Sequence, residues 1–211
     1  MIVILDAGHG VNTPGKGSPY ALHGVEPGLY FKEYQYCRWI VDAIARELRL
    51  RGVKVEKLVK DDSDMPLVER VSRVNKIYSK DKDSFLISIH VNACGDGSKW
   101  NNASYWSAWT SIGQTQSDII ADYLYQSARS AFVGKRVSSQ SADGDDDFEN
   151  NFYILKNTNC PSVLTENFFQ DNAKDVEYLL SDKGMKAVVS AHVNGIMSYI
   201  KAYNNDKKRV G

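Results

Sequence analysis

Four residues have the types and placement to do chemistry together: His9, Glu33, His90 and Glu166. Two histidines with one glutamate form an established ligand set for a hydrolytic zinc ion, which keeps its fourth position for water. The metal acidifies that water and polarises a carbonyl. A second carboxylate, off the metal, can take the proton from the water and pass it to a leaving nitrogen. The set supplies both parts, with the division between the two glutamates left open at this point. The histidines do not share one helix in the compact HExxH manner, so the fold must bring these residues together.

The elements that must do so can be read from the chain. Residues 2–5 form a short continuous apolar run that stops at Asp6, as expected of a strand buried on both faces. His9 follows it. Residues 85–89 are a second such run, followed directly by His90, and residues 163–165 a third, followed by Glu166. Cys37, Ile40, Val41, Ile44 and Leu48 recur at helical spacing over 31–50, which places Glu33 in the first turn of a helix. Further strands are expected at 53–59, 103–109 and 152–155. Helices are expected at 66–78, 117–132, 172–180 and 183–200, and a long glycine- and proline-rich loop over 10–28. Strands alternating with helices predict an α/β fold, a mostly parallel twisted sheet covered by helices on both faces in three layers. In such a sheet ligands bind beyond the carboxyl ends of the strands, which is where His9, His90 and Glu166 fall. A crossover helix begins at that same edge, which brings in Glu33.

Composition sets the limits. The 211 residues carry 26 Lys+Arg against 26 Asp+Glu, with 43% hydrophobic and 25% charged residues, as in a globular protein with one core. Zero net charge argues against a nucleic-acid partner, and no apolar run is long enough for membrane insertion. Its first residues read as an opening strand, so no signal peptide is expected. Cys37, Cys94 and Cys160 fit neither a disulfide framework nor a cysteine zinc site, so they are expected reduced and buried. Residues 1–202 are expected to form the catalytic domain and 203–211 a polar tail or the start of a linker.

Each site residue also has an ordinary reading. Glu33 could complement the helix dipole, His9 could be a turn residue, His90 a satisfied core histidine and Glu166 a surface acid; all four being incidental on one edge is the weaker account. His23 reads as a solvated loop histidine and His192 as packing on the last helix. The acidic run 143–147 lacks the register of a calcium loop and is expected to be solvated and mobile. Trp100, Tyr105, Trp106 and Trp109 could equally wall a sugar or peptide site or pack a β-ribbon.

At these residues the chain resembles the zinc-dependent N-acetylmuramoyl-L-alanine amidases of the AmiC/LytC type. ILDAGHG resembles the family's opening strand, and Glu33 its glutamate ligand. Leu67-Val68-Glu69-Arg70 with Val74-Asn75 is similar to its Leu-x-x-Arg…Asn helix. SIHVNA, residues 88–93, is similar to its Ser-x-His-x-Asn strand end, and residues 151–172 to the segment ending in its catalytic glutamate. Ala7 stands where proline is usual, Val11 where a second glycine is common, and an arginine expected after the second strand is missing.

The resemblance implies zinc on His9, Glu33 and His90, Glu166 as proton shuttle, and hydrolysis of the amide joining N-acetylmuramic acid to L-alanine in peptidoglycan. Asp6 and Asn92 are then candidates to orient a metal histidine or contact substrate. The competing readings are a zinc peptidase or deacylase on another substrate, and a wall-binding module with a degenerate site. The resemblance also suggests a phage or prophage endolysin, made in the cytoplasm and released at lysis, or a trimmed secreted autolysin. In either case the polar tail would lead toward a C-terminal cell-wall-binding domain.

Overall fold

In the computed structural model, which describes residues 1–19, 30–140 and 144–210, twelve elements follow one another. They are β1 (Ile2–Ala7), α1 (Glu33–Leu50), β2 (Lys54–Lys57), α2 (Leu67–Lys80), β3 (Ser84–Asn92), β4 (Trp106–Thr110), α3 (Gln116–Ala131), β5 (Phe148–Glu149), α4 (Tyr153–Asn157), β6 (Ser162–Phe169), α5 (Ala173–Leu180) and α6 (Asp182–Val210). The strands form one sheet in the order β2-β1-β3-β6-β4-β5. β2, β1, β3 and β6 run parallel, β4 is antiparallel to β6, and β5 is parallel to β4.

Alternation along the strands sorts side chains onto two faces. Val3, Leu5 and Ala7 of β1 and Phe85, Ile87, Ile89 and Val91 of β3 join the larger core, beneath α1, α3 and α6. Ile4, Leu86 and Leu164 face the smaller core, with α2 and α4. By the same period of two, Asp6, Ser88, His90 and Glu166 lie on the smaller face, toward its carboxyl edge. α2 covers the inner pair, Asp6 and Ser88, its Arg70 reaching Asp6, while His90 borders a cleft.

Four expectations need correction. Residues 152–155 are not a strand: Tyr153–Asn157 forms the short helix α4, with Ile154 and Leu155 buried in the smaller core. A four-residue apolar run has too little length for its period to decide between the two. Cys94 is exposed, while Cys37 and Cys160 are buried; it sits in the turn after β3, its backbone N–H donating to Asp171 Oδ2 at 2.9 Å. The acidic run is not solvated throughout, since Asp147 is buried and Phe148–Glu149 forms β5. Finally, α6 continues helically beyond Ala202, held by Tyr203 and Lys207, which both donate to Asp83. His23, Asp143 and much of the 10–28 loop lie outside the described residues.

Candidate metal centre

β1 delivers His9 through a tight turn flanked by Gly8 and Gly10. His9 has φ of 60°, in the left-handed region. The flanking glycines are sterically required: a Cβ on Gly8 would lie 2.5 Å from the His90 ring, and one on Gly10 2.2 Å from the Asp64 backbone nitrogen. Two arginines hold the turn. Arg70 Nη1 donates to the Ala7 carbonyl at 2.7 Å and Arg70 Nη2 to that of His9 at 3.0 Å. Arg38 reaches the same carbonyls at 2.8 Å and also donates to the Asp61 carbonyl at 2.9 Å. It thereby ties the turn to the segment after β2, where the family pattern leads one to expect an arginine.

Glu33, the first residue of α1, is buried, and its Oε1 accepts the Val91 N–H at 3.0 Å. That oxygen is 3.3 Å from His9 Nε2 and 3.3 Å from His90 Nδ1, and the two nitrogens are 3.3 Å apart. The three atoms therefore form an equilateral face. Around an ion with bonds of about 2.0–2.1 Å, a tetrahedral edge measures about 3.3–3.4 Å. The same distances are long for hydrogen bonds to a carboxylate, which settle near 2.7–2.9 Å. Glu33 Oε2 is buried without a hydrogen-bond partner. The donor set and its spacing fit zinc.

His90 is oriented from behind. Its Nε2 lies 3.1 Å from Ser88 Oγ, which donates to Asp6 Oδ2 at 2.8 Å, and Asp6 Oδ1 pairs with buried Arg70 at 2.6 Å. This relay leaves Nδ1 facing His9 and Glu33. Asp6 thus fills the orienting role, acting through Ser88. Asn92 Oδ1 accepts the N–H of Ala93 at 2.8 Å. Burial alone would raise the Glu33 carboxyl, but hydrogen bonds and charge from His9 and His90 hold it well below the usual carboxylate range.

Glu166 stands directly opposite His90 in the β3–β6 register. Burial pushes its carboxyl up to about 8, the His90 charge opposing and the Glu33 charge adding to the rise. Its Oε2 is buried and has no partner. Just beyond, the register shifts between His90 and Asn92, and Phe168 takes φ of 62°. This bulge lets Asn167 Nδ2 donate to the His90 carbonyl at 2.9 Å, while its Oδ1 accepts from Trp106 Nε1 at 3.0 Å.

The sequence therefore places all four chemical residues, but not Arg38, Ser88 or Asn167, which hold them. Trp106 is a fully buried core residue and Trp109 stacks near Phe148 and Phe152, so the packing reading holds for both. His192 is buried between Thr165 Oγ1 and the Val188 carbonyl. A cleft of about 400 Å³ opens beside the histidines, lined by His9, His90, Thr13, Asp64, Leu67 and Ile154 among others.

Comparison with known proteins agrees with this geometry. The family model described as N-acetylmuramoyl-L-alanine amidase, Amidase_3, matches residues 3–198. The endolysin of Bacillus phage SPP1 is 32% identical over 212 residues, spanning 100% of this chain and 68% of that protein. The amidase CwlM of Bacillus licheniformis is 27% identical over 205 residues, spanning 97% and 70%. Among solved structures, an N-acetylmuramoyl-L-alanine amidase from Clostridium difficile 630 superposes with a TM-score of 0.76 at 25% identity, covering 95% of this chain and 96% of that one. Amidase AmiC2 of Nostoc punctiforme shares the fold at a TM-score of 0.74 and 20% identity, covering 95% and 97%. Sheet order, site geometry and a match along nearly the whole chain lead to one conclusion: the chain belongs to the Amidase_3 family of N-acetylmuramoyl-L-alanine amidases.

Proposed function

We propose that residues 1–202 act as a zinc amidase domain on peptidoglycan, with His9, Glu33 and His90 holding the ion and Glu166 moving the proton. The bond cut is the amide between the lactyl carbonyl of N-acetylmuramic acid and the nitrogen of L-alanine. The observation that carries this reading is the equilateral face of His9 Nε2, Glu33 Oε1 and His90 Nδ1 at 3.3 Å, with Glu166 beside it in register. Bound zinc supplies Lewis acidity toward water and carbonyl oxygen.

The chain's own residues do the rest. Glu33 gives the site its negative charge and, through the Val91 N–H, a fixed position. Ser88 and Asp6 hold His90 in the tautomer that presents Nδ1. Glu166 Oε2 takes a proton from the attacking water and delivers it to the departing alanine nitrogen. A carboxyl raised to about 8 is strongly basic for a glutamate, and a neighbouring divalent charge lowers it toward neutral pH, where one group can serve as base and then acid. The product chemistry assigns the site of action to the cell wall, and no described helix is long and apolar enough to cross a membrane.

Mass spectrometry of purified peptidoglycan, incubated with the protein with and without a chelator, tests the reaction. Stem peptides beginning at L-alanine, released only with metal present, are expected; cleavage inside the stem or none at all overturns the reading. Zinc content assigns the residues. Glu166→Gln is expected to keep zinc and lose turnover, while His9→Ala or His90→Ala loses both. Zinc lost equally from all three makes Glu166 a ligand and refutes its role as shuttle.

A further inference from the structure

A second group of carboxylates gathers at the far edge of the sheet, away from the cleft. One oxygen from each of Asp118, Asp145 and Asp147 lies within 4.8 Å of the other two. Asp118 sits in the first turn of α3, where its side chain accepts the Thr115 N–H in a capping box. Asp147 is only 1% exposed. Its Oδ2 accepts from Thr110 Oγ1 at 2.5 Å, but its Oδ1 is buried with no partner. Asp145 Oδ2 accepts from Gln114 at 3.0 Å, and its Oδ1 is likewise buried and unpartnered. The nearby Arg129 is bound to Asp146 through both amino groups, at 2.7 and 2.6 Å.

Buried, unpartnered carboxylate oxygens facing like charges are costly. Either a proton or a cation must settle them. We propose that Asp118, Asp145 and Asp147 form a binding site for a hard divalent cation, calcium. The donors are all oxygen, which favours calcium or magnesium over zinc. Their spread is no wider than the roughly 5 Å across a calcium sphere with bonds of 2.3–2.6 Å, and calcium tolerates irregular geometry. Burial, followed by the charges of Asp145 and Asp118, pushes the Asp147 carboxyl up to about 7, and Asp118 is raised as well. The ion ties the start of α3 to the turn that leads into β5. That turn closes the sheet edge beside β4, whose Ser107 pairs with Glu166. The site is therefore a clamp on the strand behind the proton shuttle, separate from the zinc ligands.

The test uses the zinc-loaded full chain and its Asp145→Asn and Asp147→Asn variants, with calcium chloride as the probe. Thermal unfolding is the first readout, and tryptophan-sensitised terbium luminescence competed by calcium is the second. At about 100 times its Kd, calcium is expected to raise the Tm by roughly 5–10 °C. Neither variant should respond, and both should lose the competed terbium signal. Without calcium, Asp147→Asn should unfold no lower than the parent, because the substitution removes a repelling charge. An equal calcium shift in the parent and both variants places the ion elsewhere and overturns the proposal. So does a parent that ignores calcium but gains stability as pH falls through about 7, since Asp145 and Asp147 then share a proton.

Discussion

His192 offers a sharp test of how the sheet behind Glu166 is held. Its ring is fully buried, with Nδ1 2.8 Å from the Val188 carbonyl and Nε2 2.9 Å from Thr165 Oγ1. Neutral imidazole satisfies both, donating from Nδ1 and accepting at Nε2. Burial depresses its pKa to about 4 from an ordinary 6.5. Between those values the unfolded chain binds the proton and the folded chain refuses it. Stability is therefore complete above about 6.5, drains as pH falls, and levels out below about 4. About 2.5 pH units at 1.36 kcal/mol each come to about 3 kcal/mol. His192→Gln keeps hydrogen-bonding capacity but cannot titrate. Urea unfolding of parent and variant, both with chelator so that His9 and His90 contribute equally, isolates the effect. The parent's advantage should shrink by about 3 kcal/mol between pH 7 and pH 4. A difference that stays constant across that range shows that His192 does not resist protonation in the fold and refutes the argument.

Two further predictions concern His9 and His90 as the proposed metal ligands. Ser88→Ala removes the group between His90 Nε2 and Asp6; zinc affinity, measured by competition with a chelating dye, should fall about 10–100-fold, with a stability cost of about 1–3 kcal/mol from the stranded Asp6 oxygen. Unchanged affinity would show that the relay does not orient the ring. Gly8→Ala places a methyl 2.5 Å from His90 Nδ1, so the folded variant should show reduced zinc occupancy by elemental analysis, and full occupancy would contradict the packing.

The four chemical residues were legible because each is tied to a feature with its own sequence signal. His9, His90 and Glu166 follow runs of buried apolar residues, and Glu33 opens a helix with a clear apolar stripe. The groups that hold them were less legible. Ser88 stands in the SIHVNA segment, but its type and spacing alone do not reveal the bridge to Asp6. Arg38 is an ordinary arginine on α1 until the β1 turn folds beneath it. Asn167 matters only because β6 bulges at Phe168, and no local pattern announces that bulge. The acidic run failed for a related reason. Its composition alone suggests solvation, whereas Asp147 is buried by partners 37 and 29 residues earlier in the chain, Thr110 and Asp118.

The direction of β4 explains the shape of the site. A parallel sheet presents the carboxyl ends of its strands along one edge, and β1, β3 and β6 use that edge for His9, His90 and Glu166. β4 runs the other way beside β6, so its carboxyl end, at Thr110, points to the opposite edge. It cannot deliver a side chain from that end to the edge that carries His9 and His90. What it offers is support from its starting end: Trp106 anchors Asn167 and Ser107 pairs with Glu166. Its other end meets Asp147. The reversal at β4 thus accounts both for a His/Glu cluster built from one side of the sheet and for a second polar cluster at the far end of the strand supporting Glu166.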